Sequence, residues 1–349
     1  MVIMKHLQYR TIAYISIILC CTTCTSFKSI FSDESTKNLL KLDNLITEEL
    51  QNQNYDIIYS IPNNGYFVKA IINNNNIPML LDTGASFTSL KLEYFDKYQL
   101  KHIDSLKDTT ITTISVFGNS LVSFPAKADT LKIGSITLNP WPFLLKNTLA
   151  TDAILGCDFL HFTKSIIICN PGILGISLNS KPANNLSNII RNENSYKEVD
   201  LVMAHEQNYI KILQQYGDAS KTLESGVLMV PITVNEISGF AIIDTGASYS
   251  MLDSHKIDIN KNKITIYSRN YLQDAKGIKK TLHSITLDKF IIDKYNLSDN
   301  FKIAFHEMKN PDYIVNNKSV PILGLIGLDI LYKNNAIIDF GNRKLYLQI

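Results

Sequence analysis

Several signatures of familiar chemistry are missing from this sequence. No His-Glu-x-x-His pair is present to hold a catalytic zinc, and His205-Glu206 lacks the second histidine. Neither a Gly-x-Ser-x-Gly nucleophile elbow nor a phosphate-cradling glycine loop occurs. No metal and no cofactor is therefore expected. An excess of charge of either sign is lacking too: 34 basic residues stand against 32 acidic ones, a formal net charge of +2. That balance gives no global reason to expect nucleic acid as a partner. Long apolar runs are also wanting. Residues 11–19 are uncharged and mainly apolar, which suits a secretory signal core and is too short for a membrane span. Cysteine is sparse: of five, Cys20, Cys21 and Cys24 crowd behind that core, leaving only Cys157 and Cys169.

What is present describes a folded chain. The 349 residues, 45% apolar and 19% charged, suffice for two lobes that each bury a core. The weakly basic start at Lys5, His6 and Arg10, followed by the apolar run and the cysteines, resembles a bacterial lipoprotein processing site. Cys20 or Cys21 would carry the lipid, and a plain cleaved signal is the alternative. Such a chain is exported to the cell envelope and anchored to a membrane without spanning it. For Cys157 and Cys169, a disulfide and two buried thiols both remain open. The expected organisation is a signal segment over residues 1–21, then a tether with a short amphipathic helix over 22–56. A first lobe follows over 57–180, a linker with a helix over 181–225, and a second lobe over 226–349. Helical spacing at Leu201, Val202, Ile210 and Leu213 places the linker helix.

One stretch is written twice. Leu80-Leu81-Asp82-Thr83-Gly84-Ala85-Ser86 returns as Ile242-Ile243-Asp244-Thr245-Gly246-Ala247-Ser248. A single Asp-Thr-Gly is an ordinary strand-ending turn; two copies after the same apolar run are a repeat. The offset that carries Asp82 to Asp244 carries Asn73 to Asn235 and Val68 to Val230, so a β-hairpin precedes each copy in register. Downstream, Ile154-Leu155-Gly156 matches Leu325-Ile326-Gly327, each with an Asp two positions later and then a final strand. The glycine suggests a strand passing close beneath another backbone, with a short helix beginning near Asp158 or Asp329. Each half also has a second hairpin, with turns at Phe117-Gly118 and at Lys276-Gly277. Either is read as a flap over a cleft or as an ordinary solvent-facing hairpin.

Two carboxylates delivered by two related lobes can share one proton, because like charges that close cannot both ionise. The ionised member can take a proton from water while the protonated member polarises a carbonyl oxygen. Thr83 and Thr245 can bond across the pseudo-twofold, Gly84 and Gly246 permit the tight turn, and Ser86 and Ser248 can donate to the neighbouring Asp. Cys157 and His161, four apart, offer a thiol alternative, although a Cys beside an apolar-apolar-Gly turn belongs more often to a core.

On these motifs the chain resembles the aspartic proteases of the pepsin and retropepsin clan, in a tandem bacterial retropepsin-like arrangement. The resemblance implies a mainly β fold of two acid-protease-like barrel lobes, related by a pseudo-twofold, with a cleft between them. It implies an aspartic endopeptidase acting on peptide or protein substrates as a monomer, with Asp82 and Asp244 catalytic and Thr83, Gly84, Thr245 and Gly246 as supports. A weakly active or inactive peptide-binding envelope protein on the same fold is the rival. No Tyr stands at a flap tip in the pepsin manner; Phe117 is the nearest aromatic in the first half.

Overall fold

The computed structural model describes residues 34–62, 65–107, 109–192, 195–206, 226–258, 264–309, 313–316 and 318–349. Cys20 and Cys21 lie outside the described residues, as do Ile210 and Leu213 of the expected linker helix.

The chain enters through helix α1 (Glu34–Asn52) and strand β1 (Tyr55–Tyr59). Strand β2 (Tyr66–Ile72) buries every second residue, and β3 (Asn75–Leu81) pairs with it across a two-residue turn. Both turn residues, Asn73 and Asn74, have positive φ (44° and 69°), the primed-turn geometry that matches strand twist and that Asn tolerates. Then come β4 (Ser89–Lys91), β5 (Ile111–Ile114), β6 (Ser120–Ala128), β7 (Trp141–Lys146) and β8 (Ala153–Leu155). Helix α2 (Cys157–Phe162) and strands β9 (Ile166–Ile168) and β10 (Ile173–Ser177) complete the first half.

The connection holds helix α3 (Leu186–Arg191) and strands β11 (Tyr196–Asp200) and β12 (Val202–Glu206). This corrects the helical reading of Leu201 and Val202. Here β11 pairs with the C-terminal strand and β12 with the first strand of the second half, so sheet pairing outweighs the local spacing.

The second half runs β13 (Val227–Val234), β14 (Ile237–Ile243), β15 (Met251–Asp253), β16 (Ile264–Gln273), β17 (Lys279–Ile292), β18 (Tyr295–His306) and β19 (Ile322–Ile326). It ends with helix α4 (Leu328–Lys333) and strands β20 (Ile337–Asp339) and β21 (Lys344–Gln348).

The fold is mainly β in two lobes, and the lobes repeat each other strand for strand. The neighbours β2–β3–β8–β4–β7–β6 in the first sheet correspond to β13–β14–β19–β15–β18–β17 in the second. In each, a parallel pair (β3 with β8, β14 with β19) carries the chain to the acidic turn. A further sheet, ordered β1–β10–β9–β20–β21–β11, takes strands from both halves and joins them where β9 pairs with β20. Leu42, Ile46 and Leu50 of α1 and Leu186 and Ile190 of α3 cover its Ile166, Ile168 and Ile337. The lobes were expected to bury separate cores. Instead the apolar residues of both barrels form one continuous core, from Val68 and Phe143 to Val230 and Phe290. Cys157 and Cys169 are free, buried thiols.

The β13–β14 turn repeats the geometry of its counterpart with a poorer residue: Glu236 sits at φ 83° where Asn74 stands in the first half. A side chain with a Cβ is strained there. Glu236→Gly is expected to stabilise the protein by about 0.5–1 kcal/mol in urea denaturation, and an unchanged or lower midpoint would contradict this.

Candidate active site

Each acidic turn is hung from the strand beside it. The Asp82 amide donates to Leu155 O (3.1 Å) and the Asp244 amide to Ile326 O (2.9 Å), so the apolar-apolar-Gly strands fix where β3 and β14 end. Beyond the turns, Gly156 and Gly327 lie so close to the backbone of Phe87 and Tyr249 that a Cβ at either would overlap it. The first amides of α2 and α4 then reach back to the loops: Cys157 N donates to Ala85 O and Leu328 N to Ala247 O, both at 2.8 Å.

The threonines knit the halves together. Thr83 N donates to Thr245 Oγ1 (3.1 Å) and Thr245 N to Thr83 Oγ1 (3.0 Å). Each hydroxyl in turn donates at 2.7 Å to a carbonyl of the opposite lobe, Thr83 to Ile243 O and Thr245 to Leu81 O. Both side chains are fully buried, so these bonds are shielded from competing water. The glycines take the carboxyls in. Gly84 N donates to Asp82 Oδ1 and Gly246 N to Asp244 Oδ1, each at 2.9 Å. A Cβ on Gly84 would collide with the Asp244 carboxyl, and one on Gly246 with that of Asp82. Only glycine leaves room for the two acids to face each other.

Asp82 and Asp244 thus face each other, both half-buried, each carboxyl lying against the glycine of the opposite turn. Burial pushes both carboxyls above their ordinary range. Asp244 is driven well above it, because the negative Asp82 beside it adds to the burial. Asp82 is held back by the bond with Asp244, by the Gly84 amide and by the field of Lys146. Two carboxyls raised together in this way titrate as a pair, with the proton steps belonging to the dyad and not to either residue alone.

Other residues singled out from the sequence take different places. Ser86 is buried and Ser248 exposed, and the carboxyl bonds described above come from backbone amides and not from their hydroxyls. The Cys157 thiol donates to Thr83 O (3.1 Å), burial pushes it up, and His161 bonds the Gly226 carbonyl (2.8 Å), so the two do not form a nucleophile pair.

Both hairpin tips are used, and each docks on the opposite lobe. Lys309 N donates to Val116 O (3.0 Å), and Ala150 N donates to Ala275 O (2.7 Å). Between the tips, Asp274 Oδ2 accepts from Ser115 Oγ (2.7 Å) and Asn119 Nδ2 (2.8 Å), while its Oδ1 accepts from Lys276 N and Ile278 N of its own turn. Phe117 is buried against His306 (5.4 Å between rings), with Lys280 Nζ 4.8 Å over its face. Gly118 and Gly277 hold the turns at φ 78° and 87°. These hairpins are therefore not free solvent-facing loops. Ser115, Asn119 and Asp274 carry no local sequence signal; only the matched offset of the two turns hints that they could meet.

A second tier supports the dyad. Asp158 Oδ1 accepts from Thr88 N (2.8 Å), Thr88 Oγ1 (2.7 Å) and Phe159 N (2.8 Å), and Asp329 does the same with Ser250 and Ile330. The Asp two positions past each repeated Gly was the available signal, read from the sequence only as a helix start.

With this geometry in view, comparison with known proteins adds one finding. A family model described as a gag-polyprotein putative aspartyl protease matches residues 68–161, which run from β2 through Asp82 and the β5–β6 hairpin to α2. That is one copy of the repeat. No curated protein matches the chain.

Burial pushes the Asp158 carboxyl from its ordinary 3.8 up to about 7. A raised carboxyl holds its proton more tightly in the folded state, so its contribution to stability is complete below 3.8 and fades as pH rises through about 7. Asp158→Asn, which cannot ionise, is expected to gain stability relative to the parent as pH rises through that window. Parallel stability curves for the two proteins would contradict the assignment.

Proposed function

We propose that this protein is an aspartic-type endopeptidase that hydrolyses peptide bonds with a water activated between Asp82 and Asp244. The observation that supports it most is the facing of the two carboxyls across the lobe boundary, each against the glycine of the opposite turn, where burial, and at Asp244 the neighbouring Asp82, raises both. The aspartyl-protease match over the first half and the internal copy in the second support the same reading. In this mechanism ionised Asp82 takes a proton from the water as it attacks the peptide carbonyl. Protonated Asp244 gives its proton to the carbonyl oxygen, and a tetrahedral diol forms without any covalent enzyme intermediate. As it collapses, the C–N bond breaks, the proton held by Asp82 passes to the leaving amine, and one diol hydroxyl returns its proton to Asp244 as it becomes the carbonyl of the new carboxyl group, so the dyad regains its starting state. The interlocked tips of the β5–β6 and β16–β17 hairpins act as flaps that part to admit an extended peptide and close to exclude bulk water.

The same reading places the enzyme at the cell envelope as a monomer tethered through Cys20 or Cys21, with the lipid bound ahead of α1. Fatty-acid labelling that disappears in the Cys20→Ser or Cys21→Ser variant tests this; labelling unaffected by both would exclude the anchor.

Cleavage of a peptide library is expected from the parent, with kcat falling by about 100-fold or more in Asp82→Asn and in Asp244→Asn separately. The pH profile is expected to be bell-shaped, with both limbs above the ordinary carboxylate value, since both groups are raised. Full cleavage by either Asn variant would sink the shared-proton mechanism. Peptide affinity without cleavage in the parent would favour a binding protein.

A further inference from the structure

We infer that acid opens the first flap: a proton taken up by His306, the imidazole on which the flap tip rests, releases Phe117 and frees the β5–β6 hairpin. That this hairpin roofs a substrate cleft rests on the protease reading, and the switch specifies how that cleft is regulated.

The tip meets the second lobe over one small area. Val116 O accepts from Lys309 N at 3.0 Å, and Gly118 lies so close to the Lys309 side chain that a Cβ there would overlap it. Between these two residues Phe117 is buried, its ring 5.4 Å from that of His306, the last residue of β18. His306 stacks in turn on His283 of β17 at 5.8 Å, and Lys280 Nζ stands 4.8 Å over the Phe117 ring. The flap tip therefore closes on two imidazoles and an ammonium.

A charge on His306 is poorly accommodated in this closed arrangement. Burial disfavours it first, and Lys280 and His283 add to that. The carbonyl and carboxylate of Glu307 oppose them, and the outcome is an imidazole held below its ordinary 6.5. The Glu307 carboxylate is shared with His255 (3.8 Å) and Lys309 (3.7 Å). Asp253, opposite His306 on β15, directs its carboxyl to the amides of His255 and Met308. Asp274 of the other flap tip is taken up by Ser115, Asn119 and two amides of its own turn, and Lys276 beside it is a further cation. The first flap tip brings no ionisable side chain, since residues 115–119 read Ser-Val-Phe-Gly-Asn.

Opening changes that balance. With Phe117 lifted, His306 meets water that solvates its charge, so the open flap binds the proton more tightly than the closed one. By linkage the proton then favours the open flap. Closure is undiminished above 6.5, where His306 is neutral in both forms. It weakens as pH falls, by at most tenfold per pH unit, until the closed form is protonated too. In the second flap Lys276 takes the place of Phe117, and Lys146 of β7 takes the place of His306, so release by acid belongs to the first flap alone.

Native-state hydrogen exchange of the full chain between about pH 5 and 8, corrected for the intrinsic pH dependence of exchange, reads the switch. The Gly118, Asn119 and Lys309 amides are bonded to Ser115 O, Ser115 Oγ and Val116 O. Their protection is expected to fall as pH drops through 6.5, by up to tenfold per pH unit, while the Ala150 amide at the other tip keeps its protection. His306→Phe, and independently His306→Gln, should flatten that response. His102→Gln, at a ring packed on Phe95 elsewhere in the first lobe, should leave it intact. In Phe117→Ala the His306 resonance is expected to titrate closer to 6.5 than in the parent. Flat protection in the parent, an acid response that survives both His306 variants, or an unmoved His306 titration in Phe117→Ala overturns the switch and leaves the protease reading standing. If the acid response holds while the parent cleaves no peptide at any pH, the protease reading falls and the switch in the hairpin remains.

Discussion

Everything in this molecule depends on four hydrogen bonds that two buried threonines exchange across the lobe boundary. Each contributes only about 0.5–1.5 kcal/mol to stability, but their effect on geometry is larger than their energy. By tying each acidic turn to the strand that leads into the other, they hold the two carboxyls face to face, the geometry on which the proposed shared proton rests. Glycine beside each acid makes the approach possible, since any side chain there would occupy the space of the opposite carboxyl. A difference in proton affinity between chemically identical groups then follows from position alone.

The same two-fold logic organises what surrounds the dyad. Apolar-apolar-Gly strands anchor both turns, Asp158 and Asp329 collect matching sets of donors, and each flap tip rests on the loop of the opposite lobe. Departures from symmetry are chemical and not architectural. Asp274 faces Ser115 where identical subunits would place two like residues, so the flaps are joined by a charge-assisted contact that a homodimer could not make. Phe117 packs against His306 of the second half, while the matching turn position is Lys276. A duplicated chain is free to specialise its halves in this way.

Much of this was legible in the sequence because it was written twice and locally. The hairpin register, the primed Asn turn, the Asp-Thr-Gly turns and the short helix after each Gly all depend on residues within a few positions of one another. What was hidden depends on distant partners. Leu201 and Val202 were read as part of a helical spacing, but Leu201 joins two strands and Val202 opens the second, because the C-terminal strand and the opening of the second half offer edges to pair with. The contact between the hairpin turns needs Ser115 and Asp274, one from each half of the chain. Cys157 and Cys169 could have formed a disulfide by composition; both are instead free thiols buried in the one continuous core.

The account stands on one proton held between two carboxyls, and carboxyl-carbon NMR of Asp82 and Asp244 across pH reads that state directly. It predicts two widely separated steps, both above the ordinary carboxylate value, with each resonance responding to both. Two independent titrations at the ordinary value, each confined to its own residue, would contradict it.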